Sequence, residues 1–104
     1  MYQVVFSREA NENLERLFEY LFERELDSAT GDLDIPAQAI QAIQQACKFR
    51  EVSPFSCRKI GSSPFARELI VPFGSTGYVV LYEIRAPQRV HIGAIRHQRE
   101  SDYH

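Results

Sequence analysis

The sequence predicts an α+β domain of order β-α-α-β-β-β, a mainly antiparallel sheet with an α-helical hairpin packed on one face. Three observations carry this. A short β-rich run, YQVVF, opens the chain at Tyr2–Phe6. Two stretches with apolar residues at helical spacing follow, joined by a brief turn-rich connector. Three β-rich runs separated by tight turns then close the chain. Tight turns make antiparallel neighbours, and two amphipathic helices on a short connector make a hairpin. The hairpin must bury both apolar stripes on one face of the sheet, which leaves the other face for water or a ligand.

Each element has a local cause. Ser7 can cap the first helix and Glu9 suits its first turn. Ala10, Leu14, Leu17, Phe18, Leu21 and Phe22 then recur on one face, with Glu12, Glu15, Arg16, Glu19 and Glu23 between them. This is an amphipathic helix of about five turns, ending near Asp27. The connector SATGDLD (28–34) contains Gly31 for backbone freedom, and Asp34 ahead of Pro36 favours a new helix start. Ala39, Ile40, Ile43, Ala46 and Cys47 form the second stripe. That helix ends around Arg50–Val52, before Ser53-Pro54. A loop over Phe55–Pro64 leads to the three β-rich runs, Phe65–Pro72, Tyr78–Ile84 and Arg89–Ile95. Turns lie at Phe73–Gly77 and Arg85–Gln88. Strand parity puts Tyr78, Val80, Tyr82 and Ile84 on one face. It groups Val90, Ile92 and Ala94 on one face, opposed by His91, Gly93 and Ile95.

At 104 residues the chain is long enough for one modest core, so residues 1–104 read as a single domain. No apolar run approaches the ~18–20 residues of a membrane-spanning helix. The opening MYQVVFSR has no basic region followed by a long apolar one, so no signal peptide is expected and the cytoplasm is the expected location. Cys47 and Cys57 fit no zinc or redox spacing. Cys47 falls on the second apolar stripe and reads as a small buried hydrophobe, whereas Cys57 lies in a loop. His91, His97 and His104 show no metal-ligand spacing, so no metal or organic cofactor is expected, nor a small-molecule substrate. The net charge of −2 is unevenly spread: residues 1–51 hold five Lys/Arg against ten Asp/Glu, and residues 52–104 hold seven against four. A polyanion would be drawn to the second half and a basic partner to the first.

The chemistry-bearing side chains gather in that second half. Arg67 lies in FARELIVP, Tyr82 in YVVLYEI, and the last run leads into Arg96-His97-Gln98-Arg99-Glu100. Guanidinium, imidazole, phenol and carboxylate groups converging on one sheet can bind a polyanion or do acid–base chemistry on a phosphodiester. Each also has a plain reading. Arg67 can be an exposed or ion-paired strand residue, with Glu83 or Glu100 as partner. His97 can cap its strand, Arg99 and Glu100 can pair with each other, Tyr82 can be core, His91 can be surface, and Tyr103-His104 can fray.

The element order, the opening VVFSREANENLERLFEYL, the runs FARELIVP and GYVVLYEI, and the closing RVHIGAIRHQRESDY together resemble the RelE/ParE superfamily of toxins from type II toxin–antitoxin modules, also called plasmid-stabilisation proteins. The resemblance covers nearly the whole chain. The ending His97-x-Arg99-Glu100 looks most like the ParE branch. Two features depart from the family pattern, the low net charge and the Asp27–Asp34 connector, which is long by the family's standard.

The resemblance implies a growth-inhibiting toxin held in check by a cognate antitoxin, which would cover the open sheet face or the helical hairpin. The acidic face of the first helix would suit a basic antitoxin segment. Two targets follow from it, DNA gyrase for a ParE-like poison and the ribosome with its mRNA for a RelE-like mRNA interferase. The first needs no catalysis and fits a chain whose only lysines are Lys48 and Lys59. The second is a metal-independent endoribonuclease. It would need His97 as base or acid, Tyr103 or Glu100 in the complementary role, and Arg67 with Arg99 as the phosphate clamp.

Overall fold

In a computed structural model of the chain, residues 1–74 and 76–98 are described. The elements are β1 (Gln3–Phe6), α1 (Arg8–Asp27), α2 (Ile35–Lys48), a 3-10 turn (Phe49–Glu51), β2 (Arg58–Lys59), β3 (Ala66–Phe73), β4 (Thr76–Arg85) and β5 (Arg89–His97). The expected helices and strands are all present. One strand was not expected: β2, only two residues long, pairs with β3 at the sheet edge. The sheet order is β1-β5-β4-β3-β2. β1 runs parallel to β5, and every other pair is antiparallel.

Both helices lie on the same side of the sheet. Ala10, Leu14 and Leu21 of α1 and Ala39, Ile43 and Cys47 of α2 form one core with Val71, Tyr78, Val80, Tyr82, Ile84, Val90, Ile92 and Ile95. The alternation of β4 follows the expected parity. That of β5 does not: Leu81 pairs with Ala94 but Tyr82 pairs with Ile92, so Gly93 is an extra residue. This bulge moves Ile95 and His97 to the helix side and Ala94 and Arg96 to the open side.

The bulge has a structural partner. β1 ends at Phe6, opposite Ile92, so β5 runs on with β4 on one side but no strand on the other. Its backbone groups still need partners. Ser7 Oγ donates to the Gly93 carbonyl at 3.0 Å, and Asn13 Oδ1 accepts from the Ile95 amide at 2.9 Å. The start of α1 therefore replaces the missing strand. Ser7 Oγ also accepts from the Ala10 amide at 3.0 Å as the helix cap. Ser7→Ala removes both bonds, and we expect a loss of about 1–2 kcal/mol in unfolding free energy. Urea denaturation measures it, and an unchanged midpoint would contradict this role.

At the other end of α1, a Cβ on Gly31 would stand 1.8 Å from the Glu25 carbonyl oxygen. Glycine is what lets the connector turn back so closely, and Glu25 Oε1 accepts from the Asp32 amide just beyond it. Asp34 precedes α2 but makes no side-chain cap bond, and Pro36 in the first turn supplies the fixed φ. The first apolar stripe is wider than the sheet can cover. Phe18, Phe22 and Leu26 remain exposed on α1, with the Phe18 and Phe22 rings stacked at 6.1 Å between centroids.

Candidate target-binding surfaces

The expected convergence of Arg67 and His97 does not occur. Arg67 pairs in register with Tyr82, and His97 with Tyr78, four residues away along β4. That is ~13 Å along the strand before the lateral step is added. The reason is topological. Two successive hairpins leave β3 and β5 parallel to each other, so a residue near the start of one and a residue at the end of the other lie at opposite ends of the sheet.

His97 sits on the helix side, its ring edge-on to Tyr78 at 5.6 Å between centroids, with Nε2 3.3 Å from Thr76 Oγ1. Arg99, Glu100, Tyr103 and His104 lie outside the described residues. Tyr82 is a core residue whose hydroxyl donates to the Pro54 carbonyl at 2.6 Å. Burial and a hydrogen bond shared with Cys57 push its ionisation upward. His91 faces the open side beside Glu83, 3.3 Å from Arg85 Nη1.

Arg67 has an internal task. It is only 7% exposed. Its Nε and Nη2 donate to the Pro64 carbonyl at 3.1 and 2.8 Å, and its Nη1 to the carbonyls of Phe55 and Cys57 at 3.2 and 2.9 Å. The guanidinium also lies over the Phe55 ring, 5.3 Å from its centroid. Its guanidinium is not ion-paired with Glu83, which meets Arg85 instead; Glu100, the other partner expected, lies outside the described residues. The fork that would have held a phosphate ties two loops together instead.

Two cations of the open sheet face are ion-paired. Arg58 Nη2 meets Glu68 Oε1 at 2.6 Å, and Arg85 Nε meets Glu83 Oε1 at 2.5 Å. Arg96 is exposed there, in register with Val79. Among the described residues no three His, Cys, Asp or Glu side chains are placed to hold a metal ion. No described helix is long and apolar enough to cross a membrane.

Two further surfaces stand out, the first on the helical hairpin that the sequence offered as an antitoxin site. One is a groove of about 510 Å³ between the helices, lined by Asn11, Leu14, Glu15, Phe18, Ile40 and Gln44. The other is the segment from the 3-10 turn to the start of β3, which bears exposed Phe49, Val52, Phe55 and Phe65. For the groove the sequence signal was the acidic face of the first helix; for the loop residues it was only large apolar residues beyond those the core needs.

The family model for the ParE toxin of the type II toxin–antitoxin system, parDE, matches residues 4–102. This chain belongs to the ParE toxin family. It is accordingly a ParE-type toxin of a type II toxin–antitoxin system, and toxins of this family pair with a cognate antitoxin. Its fold is similar to that of a chain in the chromosomal ParDE system from P. aeruginosa, with a TM-score of 0.67 at 14% identity over 93% of this chain and 96% of that one. It is also similar to the E. coli toxin RelE, in a mutant form in the free state, with a TM-score of 0.52 at 14% identity over 97% of this chain and 87% of that one. No curated protein matches the sequence.

Proposed function

We propose that this ParE toxin arrests growth by binding DNA gyrase as a protein ligand, without chemistry of its own, and that its antitoxin blocks it by occupying the toxin surface. The observation that carries the reading is the ParE family match over residues 4–102. The state of Arg67 agrees with it, because a guanidinium that bonds three loop carbonyls has no fork left for a substrate phosphate. A gyrase target requires the toxin to act in the cytoplasm.

The antitoxin segment would lie in the interhelical groove. Leu14, Phe18 and Ile40 supply its apolar floor and Glu15 an acidic wall, with Glu12, Glu19 and Glu23 further along the same helix. An amphipathic helix with basic flanks matches that pattern. Charge reversal of Glu15 and Glu19 is expected to weaken antitoxin binding roughly tenfold, with a marked loss of salt dependence.

The test of the target is direct. Purified toxin added to gyrase, ATP and relaxed plasmid is expected to inhibit supercoiling or to trap cleaved DNA, and added antitoxin should reverse the effect. Full supercoiling at excess toxin, together with transcripts cleaved in arrested cells, would replace this reading with ribonuclease action.

A further inference from the structure

We infer that the loop surface carrying Phe49, Val52, Phe55 and Phe65 is where this toxin docks on its protein target, and that it receives an apolar anchor flanked by carboxylates. The inference rests on the reading that the target is a protein. The four side chains are 65%, 64%, 48% and 50% exposed. None of them lines the interhelical groove.

These residues are held in place from beneath. Arg50 Nη1 donates to Ser56 Oγ at 2.9 Å and to Cys57 Sγ at 2.7 Å. Arg67 bonds the carbonyls of Phe55, Cys57 and Pro64. Tyr82 bonds the Pro54 carbonyl, and the Tyr2 ring meets Phe55 edge-on at 6.3 Å. The Phe65 carbonyl accepts from the Ile84 amide at 2.9 Å, which fixes the approach to β3. Buried or partly buried donors thus hold the backbone of the segment while its aromatic tips face water.

Exposing large apolar side chains contributes nothing to folding, and a cluster of them marks an interaction site more often than a lone one does. A surface already fixed in the free protein loses little entropy on binding. Aromatic side chains backed by arginine are also the residues that dominate binding energy at protein interfaces.

Charge indicates the kind of partner. Between residues 48 and 59 stand Lys48, Arg50, Arg58 and Lys59 against one carboxylate, Glu51. Arg58 is paired with Glu68, and Arg50 points its Nη1 inward. Lys48 and Lys59 are exposed and leave the rim positive. Carboxylates beside the partner's apolar anchor would meet that rim, steer the approach and set orientation. A single nucleic-acid strand fits less well, because the Arg67 fork is spent inside the segment and Arg50 turns its Nη1 inward onto Ser56 and Cys57 rather than toward phosphates.

The test uses the full-length toxin with Phe49→Ser, Val52→Ser and Phe65→Ser combined; Phe55 is kept because its ring backs Arg67. Far-UV circular dichroism and antitoxin affinity report folding, the latter expected to stay within about twofold. The toxin concentration that half-inhibits supercoiling is expected to rise tenfold or more, and induced expression should no longer arrest growth. A second variant, Lys48→Glu with Lys59→Glu, should slow association with gyrase several-fold and reduce its salt dependence; it decides the matter if the triple variant does not fold.

A folded triple variant that arrests growth and inhibits gyrase like the wild type overturns the inference. So does a variant that loses only self-association, or only binding to a single-stranded oligonucleotide, with toxicity intact. If the wild type arrests growth without touching gyrase while the triple variant does not arrest, the gyrase reading fails and the docking surface stands.

Discussion

Replacing Arg67 with methionine is expected to lower the unfolding free energy by about 3 kcal/mol, a large share of the ~5–15 kcal/mol typical of a domain this size. Methionine nearly fills the volume but donates nothing. The carbonyls of Phe55, Cys57 and Pro64 would each lose a donor in a partly buried setting, and the cation over the Phe55 ring would go as well. Charge-assisted bonds of this kind are worth ~1.5–3 kcal/mol each before relaxation, and water entering the loosened loops recovers part of the loss. Arg67→Lys should recover less than half, because a point ammonium cannot bridge carbonyls that a planar fork spans. Urea denaturation gives the free energies, and hydrogen exchange should show the loss of protection beginning in residues 53–66. A catalytic or phosphate-binding Arg67 would behave in the opposite way. Both substitutions would then keep the urea midpoint and remove toxicity alone, and that outcome would refute the structural role.

The two helices were legible because their apolar spacing is a property of each segment alone, and Ala10, Leu14, Leu21, Ala39, Ile43 and Cys47 do enter the core. The β4 alternation was legible for the same reason. What escaped the sequence depends on pairing. The Gly93 bulge follows from β1 ending at Phe6 while β5 continues, with Ser7 and Asn13 taking over as partners. β2 is too short to show any alternation. Arg67 looked like a surface or substrate residue because burial of an arginine requires several acceptors, and here they come from two loops, Pro64 close by in sequence and Phe55 and Cys57 12 and 10 residues away.

The separation of Arg67 from His97 was within reach of the sequence. Two tight turns already fix β3 and β5 as parallel, which sends the two side chains to opposite ends. Side-chain chemistry alone suggested a cluster, and strand direction rules it out for this pair. The loop surface was hidden for another reason. Phe49, Val52, Phe55 and Phe65 have no period, so nothing local says whether they point in or out, and the bonds of Arg50, Arg67 and Tyr82 that hold residues 54–57 come from elsewhere in the sequence.

Above about pH 9 the toxin is expected to lose stability steadily. Cys47 is fully buried in the core, and burial pushes its thiol from the ordinary value of 9.0 up to about 12, against the opposing pull of Arg50. Burial likewise raises the phenols of Tyr82 and Tyr78 above their usual value of 10.0. The direction of the effect follows from proton counting. Below pH 9 the thiol is neutral in both states and its contribution is constant. As pH climbs, the unfolded thiol ionises and the folded one does not, so the unfolded state binds fewer protons and the unfolding free energy falls. The slope approaches ~1.4 kcal/mol per pH unit for each such group, so Cys47 alone accounts for a loss of ~4 kcal/mol by pH 12. The tyrosines steepen the fall above pH 10. Urea midpoints at pH 8, 9.5, 10.5 and 11.5 would trace this curve. Cys47→Ala should cost about 1 kcal/mol at pH 8 for its small cavity, yet flatten the alkaline slope because it has no proton to lose. Tyr82→Phe should cost a further ~1 kcal/mol at every pH for the lost bond to Pro54, and flatten only the limb above pH 10. The two variants thus separate between about pH 8 and 9.5, where the thiol is the main group of the three to titrate in the unfolded chain; equal slopes for wild type and Cys47→Ala in that interval would show that the buried thiol does not carry the alkaline limb.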